Sequence, residues 1–253
     1  MIELRDVTLA FGERRLIEHA TTRFERGRVT ALLGRNGTGK STLLRAIASL
    51  GAVESGEIFI AGSSLTTIGA RDLARHLAYV NTERVDVDTL SAHDLVAIGR
   101  SPYTDWLGRL TAEDERVVCD AMRVAGVEHL AARAVSTLSD GECQRVMIAR
   151  ALAQDTEVLL LDEPTSFLDL PNRYELCRLL GELAHRDNKC IIFSTHELDI
   201  ALSLADSVAL VDTPNLIHLP TQQMIASGNI ERLFDSEHIS FDAATRSIRL
   251  RKW

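Results

Sequence analysis

Eight residues, Gly34-Arg35-Asn36-Gly37-Thr38-Gly39-Lys40-Ser41, carry the spacing Gly-x-x-x-x-Gly-Lys-Ser of a phosphate-binding loop. Glycines in such a loop let backbone N–H groups close around an anion, the lysine reaches the outer phosphates, and the serine hydroxyl holds Mg²⁺. Farther along, Asp162-Glu163 closes the apolar run Val158-Leu159-Leu160-Leu161. Alone, an Asp-Glu pair after a strand is a solvated turn. With a phosphate loop upstream, one carboxylate suits magnesium and its neighbour can polarise water. His196 follows the apolar run Ile191-Ile192-Phe193 in the same manner, at a strand end where an imidazole can face a γ-phosphate. Leu138-Ser139-Asp140-Gly141-Glu142 opens a helical stretch. Ser139 is either an N-cap that Glu142 completes as a capping box, or part of a phosphate-binding helix tip, and both roles are compatible.

These groups converge only if strands deliver them to one edge. Alternating apolar residues predict strands through Val7, Leu9 and Phe11, through Ala20, Thr22 and Phe24, and through Val29, Ala31 and Leu33, punctuated by Gly12 and Gly27. The third ends in the phosphate loop, and Leu43, Leu44 and Ile47 mark one face of the helix after it. A hairpin is expected between Gly56 and Gly62, and a short strand over 77–80. Between about residues 90 and 154 the period becomes helical, with Thr111 and Asp114 as a capping pair. Runs at 158–161 and 190–193 suit a buried parallel sheet and flank a helical stretch over 174–183. The pattern after Asp212 is too irregular to assign.

The 253 residues are 45% hydrophobic and 25% charged, with 28 basic against 36 acidic side chains for a net charge of −8. Disorder and mini-protein scaffolds are excluded, and the acidic balance argues against an extended nucleic-acid footprint. No apolar run reaches the roughly 18–20 residues of a membrane-spanning helix. The opening Met1-Ile2-Glu3-Leu4-Arg5-Asp6 lacks the pattern of a secretory signal, so the chain is expected to stay in the compartment of its synthesis. Cys119, Cys143, Cys177 and Cys190 form no close pair and read as reduced thiols.

Taken in order, the loop at 34–41, the Leu-Ser-x-Gly stretch at 138–142, Leu161-Asp162-Glu163-Pro164-Thr165, Ser166-Phe167-Leu168-Asp169 and His196 resemble the motif set of an ABC-transporter ATPase subunit over nearly the whole chain. The signature lying one helix ahead of the Asp-Glu strand separates that family from kinases, small GTPases and other phosphate-loop enzymes. The resemblance implies an α/β fold, a P-loop NTPase (RecA-like) core sheet with an N-terminal antiparallel β-subdomain and an inserted α-helical subdomain. One domain then fills residues 1–253, with 1–85 and 157–253 as nucleotide-binding core and 86–156 as the helical signature subdomain.

The same resemblance implies a head-to-tail homodimer holding two ATP molecules with Mg²⁺, each between the 34–42 loop of one copy and the signature of the other. In that picture Phe11 stacks on adenine, unless it is merely a strand residue packed in a core. Gly34, Arg35, Asn36, Gly37, Thr38, Gly39, Lys40, Ser41 and Thr42 cradle the phosphates, the Ser139 signature approaches from the partner, and Gly141, Glu142 and Asp169 count among the nucleotide-binding positions that the resemblance implies. Lys40 balances the β/γ charge, Ser41 and Asp162 fix Mg²⁺, Glu163 orients or deprotonates water, and His196 steadies the γ-phosphate.

Two positions depart from the family pattern. Tyr79-Val80 is followed by Asn81-Thr82-Glu83 where a Pro-Gln is usual, so either Thr82 or Glu83 offers oxygen to Mg²⁺ or water. Glu142 replaces the usual signature glutamine; facing a γ-phosphate it meets repulsion, so it is expected to turn back and cap its own helix. Residues 90–103 and 164–170, with Ile239-Ser240-Phe241-Asp242, resemble importers of iron-siderophores, haem or cobalamin. That likeness implies transmembrane permease subunits, an indirect periplasmic or extracellular substrate-binding protein, no nucleic acid, and a peripheral position on the cytoplasmic face of the inner (plasma) membrane. Tyr103, Trp106 and Leu107 either dock a permease helix or pack within the helical lobe. The alternatives are a soluble ABC-type mechanical ATPase, or a regulatory module that binds ATP without turnover.

Overall fold

In the computed structural model, which describes residues 1–81 and 87–250, strands β1 (Ile2–Phe11) and β2 (Arg14–Phe24) form a long hairpin. Gly12 makes its turn with φ +60°. There follow β3 (Arg28–Leu33), α1 (Lys40–Ile47), β4 (Ser55–Ile60), the two-residue β5 (Ser63–Ser64), α2 (Ala70–His76) and β6 (Leu77–Val80). A helical stretch with α3 (Ala92–Ala97), α4 (Ala112–Val124) and α5 (Asp140–Ala153) leads to β7 (Val158–Leu161), α6 (Leu170–His185) and β8 (Cys190–Thr195). α7 (Leu198–Leu204) and β9 (Ser207–Asp212) follow, and the region after Asp212, left unassigned from sequence, comprises β10 (Asn215–Pro220), α8 (Thr221–Ala226), α9 (Asn229–Phe234) and the hairpin β11 (Ile239–Asp242) and β12 (Ser247–Leu250).

A four-stranded antiparallel sheet, ordered β2-β1-β4-β5, stands beside a six-stranded sheet ordered β10-β9-β3-β8-β7-β6. In the latter only β10 runs antiparallel. This is the α/β arrangement that the motif resemblance implies. Strands buried on both faces read as continuous apolar runs, as 158–161 does, because helices or a second sheet cover each side. Leu32, Leu160 and Ile192 face α1 and the antiparallel sheet, in one cluster with Leu9, Ile17, Leu43 and Ile47. Leu33, Leu161 and Phe193 face the other way, in a cluster that continues through Val118 and Met122 of α4 and Val146 and Met147 of α5. The helical insertion therefore has no private core; it packs as an extension of one sheet face.

Polar anchors fix that extension. After α3, Gly99 passes so near α5 that a Cβ there would lie 2.2 Å from the Arg150 carbonyl oxygen. The adjacent Arg100 is buried; its Nε donates to Asp114 Oδ1 at 2.9 Å, one Nη donates to the Ala153 carbonyl at 2.8 Å, and the Tyr103 ring lies 4.0 Å from its guanidinium carbon. Asp114 simultaneously closes the expected capping box of α4, accepting from Thr111 N and Oγ1 at 2.9 and 2.7 Å. Those hydrogen bonds from Thr111, reinforced by Arg100, hold the Asp114 carboxyl below its ordinary range. The Tyr103 hydroxyl donates to the Gln154 carbonyl at 3.2 Å, so Tyr103 belongs to the internal packing, whereas Trp106 is 90% exposed.

Arg100→Ala leaves a buried carboxylate without its cation and should cost about 3 kcal/mol at neutral pH. Because the folded pKa of Asp114 is depressed, its contribution is full above the unfolded value near 4 and is lost as pH falls through the folded value. Denaturant titrations of both proteins should therefore show the deficit at about pH 7 and a smaller one at about pH 3.

Candidate active site

Parallel pairing brings the chemistry together. Leu33 of β3 lies opposite Thr195 of β8, and Phe193 of β8 opposite Leu161 of β7, so the three strands end at one edge. Gly34, Asp162 and the Ser194-Thr195-His196 segment emerge there, at the carboxyl ends where open α/β sheets bind ligands.

The phosphate loop is shaped by close approach. Gly39 has φ +108° at the N-terminus of α1, and a Cβ on it would come within 2.9 Å of Leu16. Thr38 Oγ1 donates to the Arg35 carbonyl at 2.9 Å, and Thr213 Oγ1 to the Thr38 carbonyl at 3.0 Å, tying the loop to the β9–β10 turn. Lys40 is buried and curls over the loop, its Nζ donating to the carbonyls of Gly34 at 2.9 Å and Arg35 at 3.2 Å. Burial lowers its pKa, and the negative charges of Glu163 and Asp162 oppose that shift.

Asp162 is buried, with its N–H donating to the Val80 carbonyl at 2.8 Å, one step beyond the β6–β7 ladder. Glu163 takes the left-handed φ of +42°, uncommon without glycine. The N–H of Glu163 donates to Ser194 Oγ at 2.8 Å, Ser194 Oγ donates to Asp162 Oδ1 at 2.5 Å, and His196 Nδ1 lies 3.4 Å from Glu163 Oε1. No cluster of three His, Cys, Asp or Glu side chains suited to a metal exists among the described residues. Asp162 and Glu163 supply carboxylate oxygens at this edge and Ser41 a hydroxyl, all hard donors. That set fits Mg²⁺, which is held by one or two protein ligands together with substrate phosphates.

Phe11, Asn36, Gly37, Gly39, Lys40, Ser41, Thr42 and Glu163 line a cleft of about 440 Å³, together with Arg14 and Leu16, which sequence reasoning missed. Phe11 is 78% exposed at its rim rather than packed in the core. The β1–β2 register pairs Phe11 with Arg14, so hairpin length was the signal for Arg14. Ser139, Gly141 and Glu142 do not line this cleft. Ser139 caps α5, and Glu142 turns back on it: its Oε2 accepts from Ser139 N at 2.8 Å and Oγ at 2.9 Å. Its Oε1 accepts from Arg133 at 3.0 Å, and these contacts, those from Ser139 foremost, hold its carboxyl below the ordinary range. Asp169 accepts from Asn172 N at 3.1 Å as the cap of α6, also outside the cleft. Thr82 and Glu83, expected near Mg²⁺, lie outside the described residues.

Residues 17–166 match the sequence profile described as ABC transporter. The chain is 39% identical over 210 residues to the achromobactin transport ATP-binding protein of Dickeya dadantii, covering 83% of this chain and 78% of that one. It is 34% identical over 236 residues to a petrobactin import ATP-binding protein of Bacillus anthracis, covering 93% and 84%. Its fold superposes with a TM-score of 0.81 and 27% identity on an inward-facing ABC transporter of the metal-chelate type, covering 92% of this chain and 88% of that one. With the phosphate loop, the Asp-Glu pair and the capped signature helix each on the element that such a cassette needs, the chain belongs to the ABC transporter family, whose ATP-binding subunits hydrolyse ATP to power transport.

Proposed function

We propose that the chain is the ATP-hydrolysing subunit of an importer for a metal chelate of the ferric siderophore, haem or cobalamin kind. The observation that carries this reading is the convergence of the 34–42 loop, Asp162, Glu163 and His196 on one sheet edge in a chain resembling siderophore-import subunits. Those relatives also disfavour the soluble mechanical alternative.

On this reading Lys40 and the loop N–H groups bind the β- and γ-phosphates, and Phe11 offers a π face to the base. Mg²⁺, held by Ser41 and Asp162, would neutralise charge on the phosphate oxygens. Glu163 orients water and accepts its proton, and His196, within reach of Glu163, steadies the γ-phosphate. Catalysis of this kind is positioning and electrostatics rather than covalent chemistry.

Head-to-tail dimerisation supplies the missing wall. The cleft is open, the Ser139 tip lies outside it, and Phe167, Leu170 and Tyr174 leave an exposed apolar row around Asp169 for a second copy to cover. A separate cleft of about 790 Å³ between α1, α2 and α5 is lined by Arg45 and Arg150 and, among the described residues, by no carboxylate, with Leu73 and Met147 among its apolar lining. It suits an apolar helix with an acidic tip, projecting from the transmembrane permease. No helix among the described residues is long and apolar enough to cross a membrane; the likeness to importer ATP-binding subunits supports a peripheral place on the cytoplasmic face. A secreted binding protein would act through the permease, without touching this chain.

Glu163→Gln is expected to bind ATP and accumulate as a dimer on gel filtration while phosphate release falls about 10²–10⁴-fold; unchanged turnover removes the catalytic assignment. Because Glu142 serves its own helix, Glu142→Gln should change ATP-driven dimerisation by no more than about threefold, under 1 kcal/mol; sedimentation with Mg²⁺ and ATP measures this. Arg45→Glu should abolish co-purification with the permease while leaving the ATPase rate of the isolated subunit within about twofold.

A further inference from the structure

Ser194 sits where the two halves of the hydrolytic centre meet. Its residue is fully buried in β8, after Ile191, Ile192 and Phe193. A buried hydroxyl needs partners, and both of these lie in the Asp-Glu pair. Ser194 Oγ donates its one proton to Asp162 Oδ1 at 2.5 Å and accepts from the N–H of Glu163 at 2.8 Å. Each bond fixes the direction of the other, since a hydroxyl whose proton is committed to a carboxylate presents its lone pairs elsewhere.

We infer that Ser194 is a positioning residue for ATP hydrolysis, its hydroxyl setting the Asp162 carboxylate on the Mg²⁺ side and the Glu163 backbone on the water side. The inference rests on the proposed reading of Asp162 and Glu163. Two features argue for it. The bond to Oδ1 selects the carboxylate rotamer and leaves Oδ2 as the oxygen free to meet Mg²⁺ or its water. Glu163 is held at φ +42°, where a non-glycine residue needs surrounding structure to keep it, and the Ser194 bond is the side-chain contact made by its N–H. From that backbone the Glu163 carboxylate reaches to within 3.4 Å of His196 Nδ1. One hydroxyl therefore links metal ligand, general base and histidine across β7 and β8.

The test uses the full chain carrying Glu163→Gln, expected to bind ATP with turnover all but lost, with Mn²⁺ and ATP as probe and the free Mn²⁺ signal read by electron paramagnetic resonance. Adding Ser194→Ala should raise the Mn²⁺ half-saturation about tenfold, the fold-change a hydrogen bond to a charged group commonly carries, with ATP binding in EDTA within about twofold. In the otherwise native chain Ser194→Ala should lower kcat about tenfold at saturating Mg²⁺ with KM for ATP within about twofold. Ser194→Thr, which keeps the hydroxyl, should restore both; if its extra methyl prevents folding, the alanine comparison decides. An alanine variant equal to its parent in Mn²⁺ half-saturation and kcat, whatever its melting temperature, overturns the inference. Failure of the Glu163→Gln parent itself to take up Mn²⁺ with ATP overturns the hydrolytic reading, and this inference with it.

Discussion

The register between β3, β8 and β7 is the constraint on which the site depends. Asp162, Glu163 and His196 lie within two residues of a strand end and the phosphate loop starts directly after β3, so the pairing of Leu33 with Thr195 and of Phe193 with Leu161 sets where these segments stand relative to one another. A slip by one residue would exchange the two faces of a strand. Here that exchange would carry Leu32, Leu160 and Ile192 away from α1 and into the space filled by α4 and α5. Core packing therefore specifies the geometry of the edge that carries the candidate site, and the buried Leu16 touches it directly beside Gly39. The N–H of Asp162 extends the ladder to Val80 by one further bond, which carries strand precision into the carboxylate proposed to hold Mg²⁺.

Among the described residues, electrostatics at that edge are arranged without a dedicated ion pair on the lysine. The partners of Lys40 are carbonyl oxygens, and the carboxylates of Glu163 and Asp162 act on it only through their field. A phosphate can engage the ammonium by exchanging neutral hydrogen bonds, at less cost than breaking a buried salt bridge. The signature carboxylate is treated differently. Glu142 is satisfied by Ser139 and Arg133, so a group with the wrong sign for a phosphate site is neutralised within its own helix cap.

Local chemistry made the site and most elements legible from sequence. The phosphate loop, the capping pairs Thr111–Asp114 and Ser139–Glu142, and the short strands over 77–80 and 158–161 are signals contained in a few adjacent residues. What escaped depends on contacts distant in sequence. Ser194 gains meaning only beside Asp162, and Gly99 only where α5 crosses it. Arg100 sits in a stretch resembling an importer motif, and nothing local declares that it is buried on Asp114 and Ala153. Residues after Asp212 form short elements whose burial comes from docking on the main core, as Met224 and Ile230 do, so their own periodicity is weak.

Helix α5 joins the two ends of the proposed mechanism. Its 14 residues span about 21 Å as one unbroken helix. At its N-terminus stands Ser139, which in the proposed dimer would meet a partner's nucleotide. At its other end Arg150 donates to the Tyr79 carbonyl at 2.9 Å, and Gln154 to the carbonyls of Ala74 and Leu77 at 2.6 and 2.8 Å, clasping α2 and β6 along the wall of the larger cleft. Close packing at Gly99 and the Arg100 anchor on Ala153 leave little room for the helix to flex between those ends. A shift of the signature tip toward nucleotide must therefore either rotate the lobe as a body or strain the hydrogen bonds to Tyr79, Ala74 and Leu77. Either response reaches the cleft assigned to the permease, so the lever from hydrolysis to transport is built from ordinary helix stiffness.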